Sequence, residues 1–122
     1  QGVKRTWILV VSILALVFMS VAISPAFEDT LDAAIPVSFG EANAVIQARC
    51  VQCHSANPTD DQWTSAPNGV MYDTPEQIHN YADKIMTRAV RTHTMPQGNK
   101  TNMTEEERMV LKRWILQGAK TQ

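Results

Sequence analysis

Apolar and polar positions divide this chain into two unequal parts. Thr6 to Ile23, TWILVVSILALVFMSVAI, is an apolar run that contains no charge. At about 1.5 Å rise per residue it winds into a helix of roughly 27 Å, close to the hydrocarbon thickness of a bilayer. Lys4 and Arg5 precede the run, and Glu28, Asp29 and Asp32 follow it. The positive-inside rule then predicts a single-pass transmembrane anchor over residues 1–23, with a cytoplasmic N-terminus and everything beyond Ile23 on the outer face. Trp7 and Phe27 fall where interfacial aromatic residues belong. The rival reading is a secretory signal peptide cleaved at Ser24–Ala26, for which the run is long. Residues 24–37 hold two prolines, three acids and few bulky apolar groups, the composition of a linker. Fully extended it would span roughly 45 Å.

From Ser38 onward the pattern is helical. SFGE places Ser38 as an N-cap with Glu41 at the third helical position, a capping box. TPEQ repeats the signal with Thr74, Pro75 and Gln77, and TEEE repeats it with Thr104 and Glu107. These starts predict helices over 39–52, 75–91 and 105–117, the last stopped by Gly118. Val45, Ile46 and Arg49 share a helical face with Cys53, and Leu111, Trp114, Ile115 and Gly118 form an i, i+3, i+4, i+7 stripe. No segment alternates as a strand would, and there is no internal repeat. The expected fold is all-α: the anchor, the linker, and a small domain over 38–122 built from three main helices. With long loops at 55–73 and 92–103, that domain has little apolar material for a core, so a non-protein group is expected to fill its middle.

Charge changes the picture only by exclusion. The 122-residue chain carries eleven Lys+Arg and twelve Asp+Glu, and two of those bases lie before the apolar run. The outer part is therefore mildly acidic, which excludes a nucleic-acid partner in need of a basic face. The first residue is Gln1 rather than Met, as expected of a processed chain or of the C-terminal piece of a longer one.

The chemistry lies in Cys50-Val51-Gln52-Cys53-His54, which uses both cysteines of the chain. Cys-x-x-Cys-His is the attachment signature of c-type haem. Two thiols three residues apart can bond the two vinyl groups of one porphyrin edge, and the next residue, His54, can offer its imidazole as proximal ligand. The other ring nitrogen then needs an acceptor, expected in the backbone of the loop through Pro58. A Cys50–Cys53 disulfide and a thioredoxin-type redox pair share the spacing, but the latter needs a βαβ context. A zinc site would have to recruit His79 and His93.

Candidates for a sixth ligand are Met71, Met86, Met95, Met103, Met109, His79 and His93. Met86 and Met109 lie within predicted helices and read as core, and Met103 precedes an N-cap as a packing staple. Met71, after PNGV, could line a haem pocket. Met95 stands in the loop RTHTMPQGNK, stiffened by Pro96, 41 residues beyond His54. It is the preferred distal ligand, with His93 as the alternative. Arg88, Arg91 and Lys100 flank that loop as a positive collar or as a solvated helix face. Trp63, Tyr72 and Trp114 are expected in the core, the first two alternatively facing haem carboxylates.

With CVQCH, TMPQGN and three helices in this order, residues 38–120 resemble a class I cytochrome c. GVMYDTPEQI and HTMPQGNKTNMTEEERMVLKRWILQGA are similar to the C-terminal cytochrome c domain of bacterial membrane-bound urate oxidases. The resemblance implies one covalently bound haem c, with Cys50 and Cys53 as thioethers, His54 and Met95 on the iron, and the first and last helices crossed. It implies an electron-transfer protein rather than an enzyme, on the periplasmic side of the bacterial inner membrane. Its partners would be the lipid bilayer and membrane redox complexes: a quinol-oxidising donor and an oxidase or photochemical acceptor. The alternative is the electron-accepting domain of a larger membrane oxidoreductase.

Overall fold

The computed structural model of the chain describes residues 2–22 and 24–122. Gln1 and Ile23, the two ends of the expected anchor, lie outside the described residues, as does the Lys4 side chain that enters the charge asymmetry. The described residues are helical, with no strand among them, and fall into two compact units, Gln1–Ala34 and Ile35–Gln122.

The first unit holds α1 (Gly2–Ala22) and α2 (Pro25–Ala33). Within α1, Arg5–Ala22 is long and apolar enough to cross a membrane. Leu9, Ile13, Leu16 and Phe18 are all exposed, as side chains of a helix meant for lipid would be. The hydroxyls in the run bond back into the helix: Thr6 Oγ1 donates to the Gly2 carbonyl at 2.7 Å and Ser12 Oγ to that of Ile8 at 2.9 Å. In a bilayer such bonds would keep the hydroxyl groups satisfied. The segment expected as an irregular linker is partly helical instead. Ser24 Oγ accepts from Phe27 N at 3.3 Å, Pro25 occupies the first turn and Glu28 lies at its positive end. Nine helical residues span about 14 Å, roughly half their extended reach.

The second unit is built on α3 (Phe39–Arg49), α4 (Pro75–Asn80), α5 (Ala82–Ile85) and α6 (Glu105–Leu116). All three capping boxes form: Ser38, Thr74 and Thr104 accept from the third helical N–H, while Glu41, Gln77 and Glu107 accept from the cap N–H. The stop at Gly118 is a Schellman motif: Gly118 N donates to Ile115 O at 2.9 Å and Ala119 N to Trp114 O at 3.0 Å. Gly118 supplies the required left-handed φ of 94°.

Two helices depart from expectation. α3 ends at Arg49, three residues early, because Cys50 turns out of helical register at φ −116°. The helix expected over 75–91 breaks at Tyr81, resumes as α5 and widens into a π-helical turn over Met86–Arg91. That wider turn leaves carbonyls at its end open to other donors.

α3 packs on α6, and their ends show the direction. Phe39 meets Trp114 at a ring distance of 6.0 Å, while Arg49 at the other end of α3 pairs with Glu107 at 2.9 Å. The helices therefore run antiparallel. Ala42, Ile46 and Leu111 are fully buried and Trp114 nearly so, with the Trp114 indole N–H donating to Lys120 O at 2.8 Å.

Leu111→Ala should lower the unfolding free energy of the detergent-solubilised chain by about 2–5 kcal/mol, since it opens a cavity at this crossing. Thr104→Ala should cost about 1 kcal/mol through its cap. Urea titration followed by circular dichroism measures both.

Candidate functional site

The Cys50–His54 segment leaves α3 as a stack of tight turns. Cys50 N donates to Ile46 O at 2.8 Å, and the Cys50 carbonyl then accepts from Cys53 N at 3.2 Å and His54 N at 2.9 Å. Gln52 O accepts from Thr59 N and Asp60 N at 2.9 and 3.0 Å, folding the next loop back beneath the motif. His54 is held at three points: its N–H, its carbonyl, which accepts from Tyr72 N at 2.9 Å, and its ring Nδ1, 3.0 Å from the Val70 carbonyl. A carbonyl can only accept, so Nδ1 carries the proton of the neutral ring and Nε2 keeps its lone pair. The orienting carbonyl is that of Val70, in the 55–73 loop that passes through Pro58. Gly69 at φ 67° and Asn68 at φ 54° turn the chain just before it.

A cavity of about 380 Å³ opens beside the motif, and Cys50, Cys53, His54 and Met95 all line it. Tyr72, Ile85, Ala89 and Met103 contribute buried wall, and Lys84, Arg88 and Lys100 bring charge to it. The size falls in the range of ordinary small-molecule and cofactor sites. Trp63, expected in the core, is instead exposed and borders the cavity. Tyr72 is core and cavity wall at once, its ring tilted 5.4 Å from that of His54.

The remaining ligand candidates separate by position. Met71, Met86 and Met109 do not line the cavity, and neither do the two other histidines. His79 Nδ1 lies 2.8 Å from the Ala119 carbonyl, tying α4 to the C-terminal segment. His93 is exposed and lies 3.8 Å from Glu105. Met103 does line the cavity but is 3 % exposed and belongs to the core cluster.

The Met95 loop is fixed through its backbone. Met95 N donates to Arg88 O at 2.9 Å, and Met95 O accepts from Arg108 Nη1 at 2.9 Å. The Met95–Pro96 peptide is cis. Lys100 reaches across to the Asp60 carboxylate at 2.7 Å and also pairs with Asp61, joining the Met95 side of the cavity to the loop after the cysteines. Arg49 ties the same corner together, donating to Thr101 O at 2.5 Å while Thr101 Oγ1 donates to Arg49 O at 3.0 Å. Sequence reasoning missed Arg108, Val70 and the Asp60–Lys100 pair. Arg108 could have been noticed, because it stands one turn before Leu111 on the buried stripe of α6.

Both cysteines are free. Burial pushes the Cys50 thiol up to about 12, with a smaller push from Cys53. Burial also raises the Cys53 thiol, aided by Asp60. A thioredoxin-type pair needs the opposite shift. Burial raises the Tyr72 phenol, which therefore stays neutral. The hydrogen bond from Lys100 holds the Asp60 carboxyl below its usual range, and the Asp60 and Asp61 carboxylates hold the Lys100 ammonium above its own. No group of three or more His, Cys, Asp and Glu poised for a metal occurs among the described residues, which leaves a zinc reading without its ligands. Two alkylatable thiols, an imidazole with a free lone pair and a thioether on one lining form a donor set suited to c-type haem. Comparison with protein-family models, with curated proteins and with solved structures finds no match to this chain.

In chain produced without haem attachment, iodoacetamide at pH 8 should modify Cys53 well before the more deeply buried Cys50, read by peptide mass spectrometry, because the thiolate is the reacting form. The Asp60–Lys100 pair carries a pH signature. Asp60 is depressed, so its contribution is complete above the ordinary carboxylate range and is lost as pH falls through its folded value. Asp60→Asn should therefore unfold at lower temperature than the wild type near pH 7, and the gap should close below about pH 4.

Proposed function

We propose that this cavity holds one haem c, which Cys50 and Cys53 would bond covalently and His54 and Met95 would ligate. The chain would then be a membrane-anchored electron-transfer protein whose second unit is a class I cytochrome c-like domain. The observation that carries this reading is that four residues, chosen for their chemistry from segments 41 residues apart, line one cavity. Bound there, haem supplies one-electron chemistry at its iron.

The chain's own residues do the rest. The Val70 carbonyl fixes the His54 tautomer and ring plane, so that Nε2 is the nitrogen available for ligation. Met95 is presented from a loop pinned on both sides of its Cα. Tyr72, Ile85, Ala89 and Met103 exclude water, which favours the less charged state of an enclosed redox centre. His54 and Met95 would both be committed to the iron, which fits a carrier or relay rather than an oxygenase or peroxidase. Helix α1 would keep the site at the periplasmic face of the inner membrane, at high effective concentration near its partners. Those would be a quinol-oxidising donor and an oxidase or photochemical acceptor.

Wild-type chain purified from membranes should show a low-spin c-type spectrum, accept one electron reversibly and refuse carbon monoxide. Met95→Ala should keep the covalent haem, bind carbon monoxide and titrate at a lower potential. A wild-type protein that binds carbon monoxide as readily as Met95→Ala, or that has no c-type spectrum, would sink the proposal.

A further inference from the structure

Arg108 lies in α6 with 4 % of its surface exposed, a rare place for a guanidinium. Its Nη1 donates to the Met95 carbonyl at 2.9 Å and also to the Ala89 carbonyl. Its buried Nε has no hydrogen-bond partner and forms only an ion pair at 3.4 Å with Glu105, whose carboxylate is mostly exposed. A buried cation answered chiefly by neutral carbonyls is costly to desolvate, and that cost calls for a gain elsewhere.

The gain is visible in what the two acceptors are. Ala89 and Met95 both line the cavity, whereas Arg108 does not. Ala89 belongs to the π-helical turn, where late carbonyls lack partners within the helix and the helix dipole favours a cation. One guanidinium nitrogen therefore joins that turn to the Met95 loop from behind. Because Met95 N is also bonded to Arg88 O at 2.9 Å, both backbone polar groups of Met95 are tied to the same turn.

We propose that Arg108 is a positioning residue for Met95: by clamping the Met95 and Ala89 carbonyls together it holds the Met95 thioether in place against competing ligands. This rests on the reading of Met95 as the distal ligand. A role in core stability alone would lower the melting temperature without altering how well Met95 competes for the iron.

The test uses the full chain with haem attached and imidazole as the competing ligand. Arg108→Met removes the clamp with little change in volume; Arg108→Lys keeps a cation, but its shorter stem does not carry the nitrogen as far as Nη1, which bonds both carbonyls. Imidazole affinity should rise about ten- to a hundred-fold in Arg108→Met, the equilibrium equivalent of one hydrogen bond from a charged donor, and by less in Arg108→Lys. The sulfur-to-iron charge-transfer band should weaken in the same order. Ile78→Ala, which loosens the core on α4 away from the cavity lining, should leave imidazole affinity unchanged. If Arg108→Met fails to fold, Arg108→Lys carries the same test. Variants that melt earlier yet keep the wild-type band and imidazole affinity would overturn the inference while leaving the haem reading intact. A wild-type chain without haem would overturn both.

Discussion

The antiparallel crossing of α3 on α6 is the constraint on which the site depends. α3 runs directly into Cys50-Val51-Gln52-Cys53-His54, and α6 is entered directly from the loop that carries Met95. An antiparallel pair puts the end of one helix beside the start of the other, so the two chemical segments must meet at one corner. Arg49, the last residue of α3, fastens that corner by bonding Glu107 in the first turn of α6 and the Thr101 carbonyl before it. A parallel pair would have sent the cysteines and the methionine to opposite ends of the domain.

The same corner explains why polar interactions are concentrated around an otherwise apolar cavity. Lys100 with Asp60 and Asp61, Arg49 with Glu107, and Arg108 with two carbonyls each tie a loop to a helix or to another loop. Loops 55–73 and 92–103 bury few large apolar side chains of their own, and directional bonds hold them where packing does not. A cofactor seated in the cavity would add the apolar contacts that this thin core lacks.

Helix starts were legible in the sequence because capping is local: Ser38, Thr74 and Thr104 each declare themselves within four residues. The stop at Gly118 was legible for the same reason. The break at Tyr81 and the π-helical turn after it were not, since the segment 75–91 has a continuous helical pattern and nothing in it marks the carbonyls of Arg88 and Ala89 that take bonds from Met95 N and Arg108. Helix α2 was missed because its prolines and acids read as a linker, although Ser24-Pro25 is also a helix start. At the site, residue identity and spacing pointed to Cys50, Cys53, His54 and Met95. The carbonyl that orients His54 lies in the expected loop, 55–73, but its residue, Val70, is 16 positions away and nothing local marks it. Arg108 was not singled out, although its place on the buried stripe set it apart.

The central claim is that Cys50 and Cys53 together hold one haem through covalent bonds. The most direct test is the mass of the intact chain, isolated from membranes of a host that matures c-type cytochromes, followed by mapping of the peptide around Gln47–Asp60. The account predicts a mass that exceeds that of the polypeptide by a single haem, with the whole increment on that peptide. A chain of unmodified mass, or one lighter by the two hydrogens of a Cys50–Cys53 disulfide, would contradict it.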